Sequence, residues 1–248
     1  MDFTHKTLNR EIPIPLYYQL KEILLEEIKQ ARAGAAFPTE LELCKQFDIS
    51  RPTVRQAINE LVIEGYLTRM KGKGTFIAGP KIKQDFLIVL KSFIEEMKEK
   101  GLTPSTEVLE FAEAECDEKV AHALQIPDGA KVAKLTRLRF ADETPIVLVV
   151  TFLPLDKLPG ILSQDFTNNS LYEIIRTDYG YTIDRATRIL EARAASEEAT
   201  LLQIKPGEPV QFIQTIAYLD TGAPIEYSLA EYRGDKSEFT FELTKQRQ

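Results

Sequence analysis

The sequence predicts an α+β fold in two parts: an N-terminal winged helix-turn-helix and a C-terminal domain built on an antiparallel sheet. Residues 37–77 form a pattern of two short helices followed by a hairpin with a glycine-rich tip, which is the order of elements in a winged helix. Further along, LQIPDGAKV at 124–132 returns as LQIKPGEPV at 202–210, and each copy lies between a predicted short helix and a predicted hairpin. We expect this duplicated unit to bring two halves into one antiparallel sheet.

The composition is that of a folded globular protein and argues against several classes of function. The 248 residues are 44% hydrophobic and 28% charged, and the formal net charge of −7 argues against a general coat for nucleic acid or membranes. Two cysteines and two histidines lie far apart, so we expect reduced thiols, no metal site and no cofactor. The chain has no apolar run of transmembrane length, and its start, MDFTHKTLNR, lacks the apolar core of a signal peptide. We therefore expect a cytoplasmic protein.

Capping signals and apolar spacing mark the first two helices. The first runs from residue 15 to its stop at residue 34 and carries an apolar stripe at helical spacing. The second begins at a capping box formed by Thr39 and Glu42. The side chains expected on its inner face are Leu41, Cys44 and Phe47.

Of the second and third predicted helices, the third carries a polar face. It begins at Ser50, with Pro52 in its first turn, and it ends at Gly65. The polar side chains left off its apolar stripe are Arg51, Thr53, Arg55, Gln56 and Asn59. Such donors can reach phosphates and base edges in the major groove of DNA.

A basic hairpin follows the third helix. Strand-like runs at 66–70 and 75–77 are joined by Lys71-Gly72-Lys73-Gly74. Residues 45–73 carry six basic and three acidic side chains, a net charge of +3 in a chain of net −7. A helix-turn-helix followed by a basic hairpin indicates local binding to DNA. The alternative is a small helical domain with a solvated basic face.

The winged-helix pattern of helices and hairpin ends after residue 77. Ala78-Gly79-Pro80 interrupts the strand-like sequence, and a short charged connector follows. We expect a DNA-binding domain at 1–78, a linker at 79–86 and a second domain at 87–248. In the second domain, Ser92 is expected to begin one helix, and Ser170 with Glu173 is expected to form the capping box of another.

The internal repeat singles out two arginines. Arg137 and Arg139 occupy a predicted strand at positions where the second copy has Thr215 and Ala217. Because strand side chains alternate, both arginines share an apolar and therefore half-buried face. The facing strand at 146–153 is uncharged, so a phosphate or carboxylate from outside the chain is the expected counter-ion. The alternative is a salt-bridged pair at the surface.

Four motifs in the first third of the chain resemble the winged-helix domain of GntR-type bacterial transcriptional regulators. They are PLYYQL at 15–20, FPTELEL at 37–43, SRPTVRQAINEL at 50–61 and GYLTRMKGKGTF at 65–76. The resemblance implies that Arg51, Thr53, Arg55 and Gly72 contact operator DNA. With the neighbouring donors, the predicted DNA-binding residues are Arg51, Thr53, Arg55, Gln56, Lys71, Gly72 and Lys73. Leu41 stands where the family usually has arginine, so one family contact is expected to be absent.

Motifs in the second domain resemble the effector domain of the HutC subfamily of GntR regulators, called UTRA. They include Ser92-Phe93, Thr136–Arg139, Ser170-Leu171-Tyr172, Pro224–Ser228 and Tyr232-Arg233. The resemblance implies an α+β fold of the chorismate-lyase type. In relatives that answer to phosphorylated amino sugars, the paired arginines hold the phosphate together with the Ser and Tyr of Ser-Leu-Tyr. The implied effector-binding residues are Ser92, Arg137, Arg139, Ser170, Tyr172, Glu226 and Tyr232. Val149 stands where such relatives often carry Glu, which leaves the neutral part of the ligand open.

We therefore expect a homodimeric, ligand-responsive repressor that binds palindromic operator DNA of a carbohydrate operon and responds to a sugar phosphate. Three alternatives remain at this point: a regulator that responds to a non-sugar carboxylate or phosphonate, an enzyme built on the second domain, and a DNA-binding architectural protein without a ligand. The proposed pocket residues include no histidine or cysteine placed as a base or nucleophile, which argues against an enzyme.

Overall fold

The chain divides into two compact units in the computed structural model. The model describes residues 3, 6–70, 72–79, 81–84 and 91–241, with the backbone alone at 197–199. The first unit comprises Met1–Ile82 with Gly234–Lys236, and the second comprises Lys83–Arg233 with Ser237–Gln248. Among the described residues, no helix is long and apolar enough to cross a membrane.

The first unit is a helix-turn-helix followed by a β-hairpin. Its elements are α1 (Leu16–Gln30), α2 (Glu40–Phe47), α3 (Arg51–Ile63), β1 (Leu67–Met70) and β2 (Gly74–Ile77). The hairpin strands pair antiparallel, from Leu67 opposite Ile77 to Met70 opposite Gly74. The three helices share one core, to which Leu20, Leu24, Ile28, Leu43, Phe47, Val54, Ile58 and Leu61 contribute. This order of elements confirms the predicted winged helix-turn-helix.

Local capping determines where α2 and α3 begin. The Glu42 N–H donates to Thr39 Oγ1 at 3.3 Å, and the Thr39 N–H donates back to Glu42 Oε2 at 2.7 Å, so the predicted capping box is present. Ser50 is the N-cap of α3, and Pro52 lies in the first turn, where a missing N–H leaves no helical hydrogen bond unmade. Both helix starts therefore follow from side chains within three residues.

The inner face of α2 differs from the one predicted. Leu41 is 55% exposed, whereas Leu43 is 1% exposed and packs in the core with Phe47. Leu43 and Phe47 are four residues apart and share one face of the helix, while Leu41, two residues before Leu43, points to nearly the opposite side. The assignment of Leu41 to the inner face was wrong because the short helix allows two phases of the apolar pattern.

The second unit is built on one six-stranded antiparallel sheet. Its helices are α4 (Phe93–Glu99), α5 (Glu118–Leu124) and α6 (Leu171–Tyr179), with 3₁₀ segments at Ile161–Ser163 and Glu197–Leu202. The sheet strands are β4 (Pro104–Glu115), β5 (Lys131–Ala141), β6 (Thr144–Pro154), β7 (Ile183–Ala194), β8 (Pro209–Leu219) and β9 (Pro224–Arg233). Two short strands, β3 (Ile82–Gln84) and β10 (Ser237–Phe239), form a separate pair.

The sheet has the order expected of an internal duplication. Its strands lie in the order β4-β5-β6-β9-β8-β7, so each hairpin, β5-β6 and β8-β9, contributes one strand to the central pair. The β6–β9 pair is antiparallel and runs from Val147 opposite Tyr232 to Phe152 opposite Tyr227. The prediction that two repeated units share one antiparallel sheet is confirmed.

Candidate functional site

A cluster of arginines surrounds one carboxylate in the helix-turn-helix. Glu40, the first residue of α2, accepts hydrogen bonds from Arg55 Nε at 3.2 Å and from Arg55 Nη2 at 3.1 Å. The same carboxylate lies 3.9 Å from Arg51 Nε and 4.0 Å from Arg69 Nη2. The hydrogen bond from Arg55 lowers the pKa of Glu40, and the charges of the three arginines act in the same direction. One carboxylate thus gathers three guanidinium groups from α3 and β1.

The other residues predicted to bind DNA lie on α3 and at the hairpin tip. Thr53 Oγ1 lies 2.7 Å from Ser50 Oγ, and Gln56 is exposed on α3. Gly72 has φ of +75°, which a residue with a side chain rarely adopts, and Lys73 is exposed beside it. Lys71 lies outside the described residues. The predicted set omitted Arg69, although the count of basic residues in this region included it.

All seven side chains predicted to bind an effector line a single cavity in the second unit. They are Ser92, Arg137, Arg139, Ser170, Tyr172, Glu226 and Tyr232. Ser92 caps α4, the arginines lie on β5, Ser170 and Tyr172 lie at the start of α6, and the last two lie on β9. The empty space inside the cavity, counted out to its open mouth, is about 830 Å³.

Arg137 is buried without a counter-ion from the described residues. Its side chain is 3% exposed, and its one hydrogen bond in this part of the chain, to Thr151 Oγ1, is long at 3.4 Å. Its guanidinium carbon lies 5.9 Å from the centre of the Phe166 ring, and its Nε and Nη1 are buried without a partner among the described residues. Burial, together with the charge of Arg139, lowers the pKa of Arg137 well below its usual value. The alternative of a salt-bridged surface pair is therefore wrong for Arg137.

Arg139 lies beside Arg137 at the same wall. Its guanidinium carbon lies 5.3 Å from the centre of the Phe93 ring, and its Nε is buried without a hydrogen-bond partner among the described residues. Burial lowers the pKa of Arg139 as well. Two adjacent guanidinium groups with unused donors form a site that an oxyanion can satisfy.

The N-terminus of α6 opens onto this cavity. Ser170 is the N-cap residue, but its side chain makes no capping hydrogen bond, so the predicted capping box with Glu173 was wrong. Ser170 is among the residues that line the cavity. The first N–H groups of the helix and its dipole favour an anion at this position.

Glu226 supplies a carboxylate to the same cavity. It is 5% exposed, and its Oε2 has no hydrogen-bond partner among the described residues. Burial, reinforced by the charge of Glu226, raises the pKa of Tyr172 well above its usual value, while the charge of Arg188 acts in the opposite direction. Burial also raises the pKa of Tyr232. Both tyrosines are therefore neutral hydrogen-bonding groups.

Arg188 is the main cavity residue that the sequence analysis missed. It lies on β7, where it is paired across the sheet with Thr215 of β8. Thr215 is the repeat counterpart of Arg137, so the strand neighbour of Thr215 was a candidate once the sheet order was known. Val149, directly opposite Arg137 on β6, is buried and lines the cavity without adding a charge.

The arrangement suits binding of an anion better than catalysis. The cavity offers guanidinium groups, hydroxyls and a carboxylate, and the described residues that line it include no histidine or cysteine. Within the described part of the chain, no cluster of three or more His, Cys, Asp or Glu side chains could hold a metal ion.

Two family models match the chain. Residues 16–77 match the bacterial regulatory proteins of the gntR family, and residues 99–238 match the UTRA domain. Together the two matches cover both units described above and include every predicted site residue except Ser92.

Relatives match over nearly their full length. The chain is 38% identical over 235 residues to the HTH-type transcriptional repressor NagR of Bacillus subtilis strain 168, covering 94% of this chain and 96% of NagR. It is 31% identical over 229 residues to the mannosyl-D-glycerate transport/metabolism system repressor MngR of Escherichia coli K12, covering 91% and 95%. The crystal structure of PhnF from Mycobacterium smegmatis is similar with a TM-score of 0.65 at 30% identity, covering 90% of this chain and 98% of PhnF. The chain therefore belongs to the GntR family, whose members are transcriptional regulators rather than enzymes, and its UTRA domain places it in the HutC subfamily.

Proposed function

We propose that this protein is a homodimeric transcriptional repressor that is located in the cytoplasm and binds palindromic operator DNA. A sugar phosphate that binds in the second domain changes its affinity for the operator. The DNA-binding residues are those of the α3 face and the hairpin tip. The effector residues are the seven that line the cavity. We assign 1–78 to DNA binding, 79–86 to a linker and 87–248 to effector binding.

One observation carries the effector proposal: Arg137 is buried with unsatisfied donors beside Arg139. A buried guanidinium without an anion is costly, because desolvation is not offset by an ion pair or by a full set of hydrogen bonds. A phosphate dianion supplies both the charge and several acceptors, and Ser170 with the α6 N-terminus adds donors from another side. A phosphate therefore fits this wall of the cavity.

The rest of the cavity supports a sugar as the neutral part of the ligand. Glu226, Tyr172 and Tyr232 also line the cavity, and carboxylates and hydroxyls pair well with sugar hydroxyls. The name of MngR, a mannosyl-D-glycerate system repressor, links a relative of this chain to carbohydrate metabolism. A second candidate, a phosphonate or a non-sugar carboxylate, would satisfy the same arginines.

The operator side of the proposal rests on the arginine cluster around Glu40. A single winged helix contacts only a few base pairs, so two copies on a palindrome are needed for useful affinity and selectivity. The exposed arginines of α3 supply the donors for base edges and phosphates.

A thermal-shift screen tests the effector class. Sugar phosphates, the matching unphosphorylated sugars, alkyl phosphonates and carboxylates are compared at equal concentration with the full-length chain. A ligand that binds only the folded state and is present at 100 times its Kd stabilises it by about 2.7 kcal/mol. Stabilisation by one or more sugar phosphates, with none from the parent sugars, is the expected result. Stabilisation by phosphonates or carboxylates alone would replace the sugar phosphate with the second candidate.

A further inference from the structure

Three residues near the C-terminal end of the chain belong to the unit that contains the helix-turn-helix. Gly234–Lys236 lie in the first unit, although Arg233 before them and Ser237 after them lie in the second. The chain therefore leaves the second unit at the end of β9, contributes one turn to the first unit and returns at the start of β10. The first unit is thus not made by N-terminal residues alone.

Hydrogen bonds hold this turn, which we call the 234–236 turn, within the first unit. Lys81 Nζ donates to the carbonyl oxygen of Gly234 at 2.7 Å, and the Ile82 N–H donates to the carbonyl oxygen of Lys236 at 2.7 Å. Both donors belong to the first unit. Because both acceptors are backbone atoms, the two bonds fix the path of the main chain at each end of the turn.

The middle of the turn packs against Gly65 at the end of α3. Gly65 follows Glu64, the C-cap residue of α3, and its φ of +82° is one that residues with side chains rarely adopt. A Cβ atom placed on Gly65 would lie 2.4 Å from the carbonyl oxygen of Asp235 and 3.0 Å from its Cα. The contact is between two backbones, which absorb a displacement less readily than flexible side chains do.

A displacement of Gly65 acts on the whole of α3. The helix is continuous from Arg51 to Ile63, and Arg51 and Arg55 lie in its first two turns, at the opposite end from Gly65. Its 13 residues span about 20 Å. A small rotation of this stiff element at one end therefore moves the arginines at the other end.

β9 joins the 234–236 turn to residues that line the cavity. Glu226, Ser228, Ala230 and Tyr232 alternate along the strand and line the cavity. β9 is an inner strand, paired with β6 on one side and with β8 on the other. Arg233, its last residue, is bonded directly to the turn, so a shift of β9 along its axis moves the turn as well.

We propose that the 234–236 turn couples the cavity to the operator: a ligand that contacts β9 shifts the turn, and the turn repositions α3 through Gly65. This inference rests on the proposed function, because it names the route by which effector binding changes operator affinity. Two distant sites are coupled when both bias the same set of connected, stiff elements. β9, the turn and α3 form such a set, with the contact between Gly65 and Asp235 as its non-covalent link.

Two glycine variants of the full-length chain isolate this contact. Gly65→Ala introduces the Cβ atom that meets the turn. Gly34→Ala introduces one at φ of +80°, where nothing in the described part of the chain lies within 4 Å. Both substitutions place alanine in the left-handed region and carry a similar backbone strain, but only the first displaces the turn.

The measured quantity is the response, which is the ratio of the operator Kd values with and without saturating sugar phosphate. The operator is a duplex that the wild-type chain selects from a random library, and the sugar phosphate is whichever of glucose 6-phosphate, glucosamine 6-phosphate and N-acetylglucosamine 6-phosphate gives the largest thermal shift. Gly65→Ala should lower the response at least about fivefold while its affinity for the sugar phosphate stays within about twofold of wild type. Gly34→Ala should keep the wild-type response. A wild-type response in Gly65→Ala, or an equal loss in both variants, would overturn the proposal.

A second pair of variants decides the question if Gly65→Ala does not fold. Lys81→Met removes the hydrogen bond to Gly234 and keeps the length of the side chain. Lys83→Met makes the same change two residues later at an exposed position. Lys81→Met should lower the response at least about twofold, and Lys83→Met should keep it. Equal responses in this pair would then overturn the proposal.

The wild-type chain separates failure of the inference from failure of the proposed function. If none of the sugar phosphates changes its operator affinity, the proposed function fails, and the inference fails with it. If the wild type responds and Gly65→Ala responds equally, the proposed function stands and only the route through the 234–236 turn is wrong.

Discussion

Glu40 holds Arg55 by two parallel hydrogen bonds, one from Nε at 3.2 Å and one from Nη2 at 3.1 Å. This fork geometry fixes the plane of the guanidinium group. Arg51 and Arg69 lie at the edge of ion-pair distance from the same carboxylate. A residue of α2 therefore organises the cationic side chains that α3 and β1 present.

The first prediction is that Glu40→Gln reduces operator selectivity. The amide keeps the shape of the side chain but loses the charge that holds three arginines, so Arg55 becomes less ordered before binding. Specific binding should weaken by about 1–2 kcal/mol, while binding to random DNA holds or increases because a negative charge has been removed. Titrations of labelled operator and scrambled duplexes measure both quantities. An unchanged ratio between them would show that Glu40 has no positioning role.

The second prediction separates base contacts from phosphate contacts. Arg51→Ala or Arg55→Ala should weaken specific binding by about 1–3 kcal/mol with the fold intact. Lys73→Ala should weaken binding to all sequences and reduce the slope of log K against log salt by about one. Binding is measured at several salt concentrations on operator and random DNA. Wild-type operator affinity in both arginine variants would contradict the assignment of α3 as the recognition helix.

The third prediction uses the two leucines of α2 as a matched pair. Leu43→Ala deletes a buried side chain and should lower the free energy of unfolding of the first unit by about 2–5 kcal/mol. Leu41→Ala changes an exposed residue and should alter it by less than about 0.5 kcal/mol. Urea denaturation of both variants gives the two values. Equal losses would contradict the orientation of α2.

The fourth prediction concerns how much the buried guanidinium of Arg137 destabilises the protein in the absence of a ligand. Arg137→Met replaces a buried guanidinium having unsatisfied donors with an apolar side chain of similar length, and should raise the free energy of unfolding without ligand by about 1 kcal/mol. The stabilisation by sugar phosphate should disappear. Thermal melts with and without ligand test both. A loss of more than about 2 kcal/mol in the ligand-free variant would identify Arg137 as structural.

Features set by neighbouring residues could be predicted from the sequence. The caps of α2, α3 and α4 depend on side chains within three positions, and the duplicated motif indicated that two halves share one antiparallel sheet, although not the order of its strands. Leu41 was misplaced because eight residues make too short a helix for its apolar pattern to fix the phase. The spacing of Ser170 and Glu173 fits a capping box, and nothing local to it shows that Ser170 lines a cavity instead.

The cavity itself depends on long-range packing. The strand face of Arg137 and Arg139 followed from alternation and the repeat comparison. Arg188 escaped notice because β7 and β5 are four strands apart in the sheet order, so only the three-dimensional fold brings their side chains to one cavity. The convergence of Ser92, Tyr172 and Glu226 was implied by family resemblance and could not have been obtained from spacing alone.

The central claim is that Arg137 binds the effector whose presence changes operator affinity. The most direct test measures operator affinity of the wild type, Arg137→Ala and the exposed control Arg185→Ala, each with increasing amounts of the sugar phosphate that gives the largest thermal shift. Without effector, all three should bind operator equally. The effector concentration that changes operator affinity should be higher for Arg137→Ala, by a factor that corresponds to a loss of about 2–4 kcal/mol in effector binding. The control should respond at the same concentration as the wild type. An Arg137→Ala protein that responds at wild-type concentrations would contradict the account.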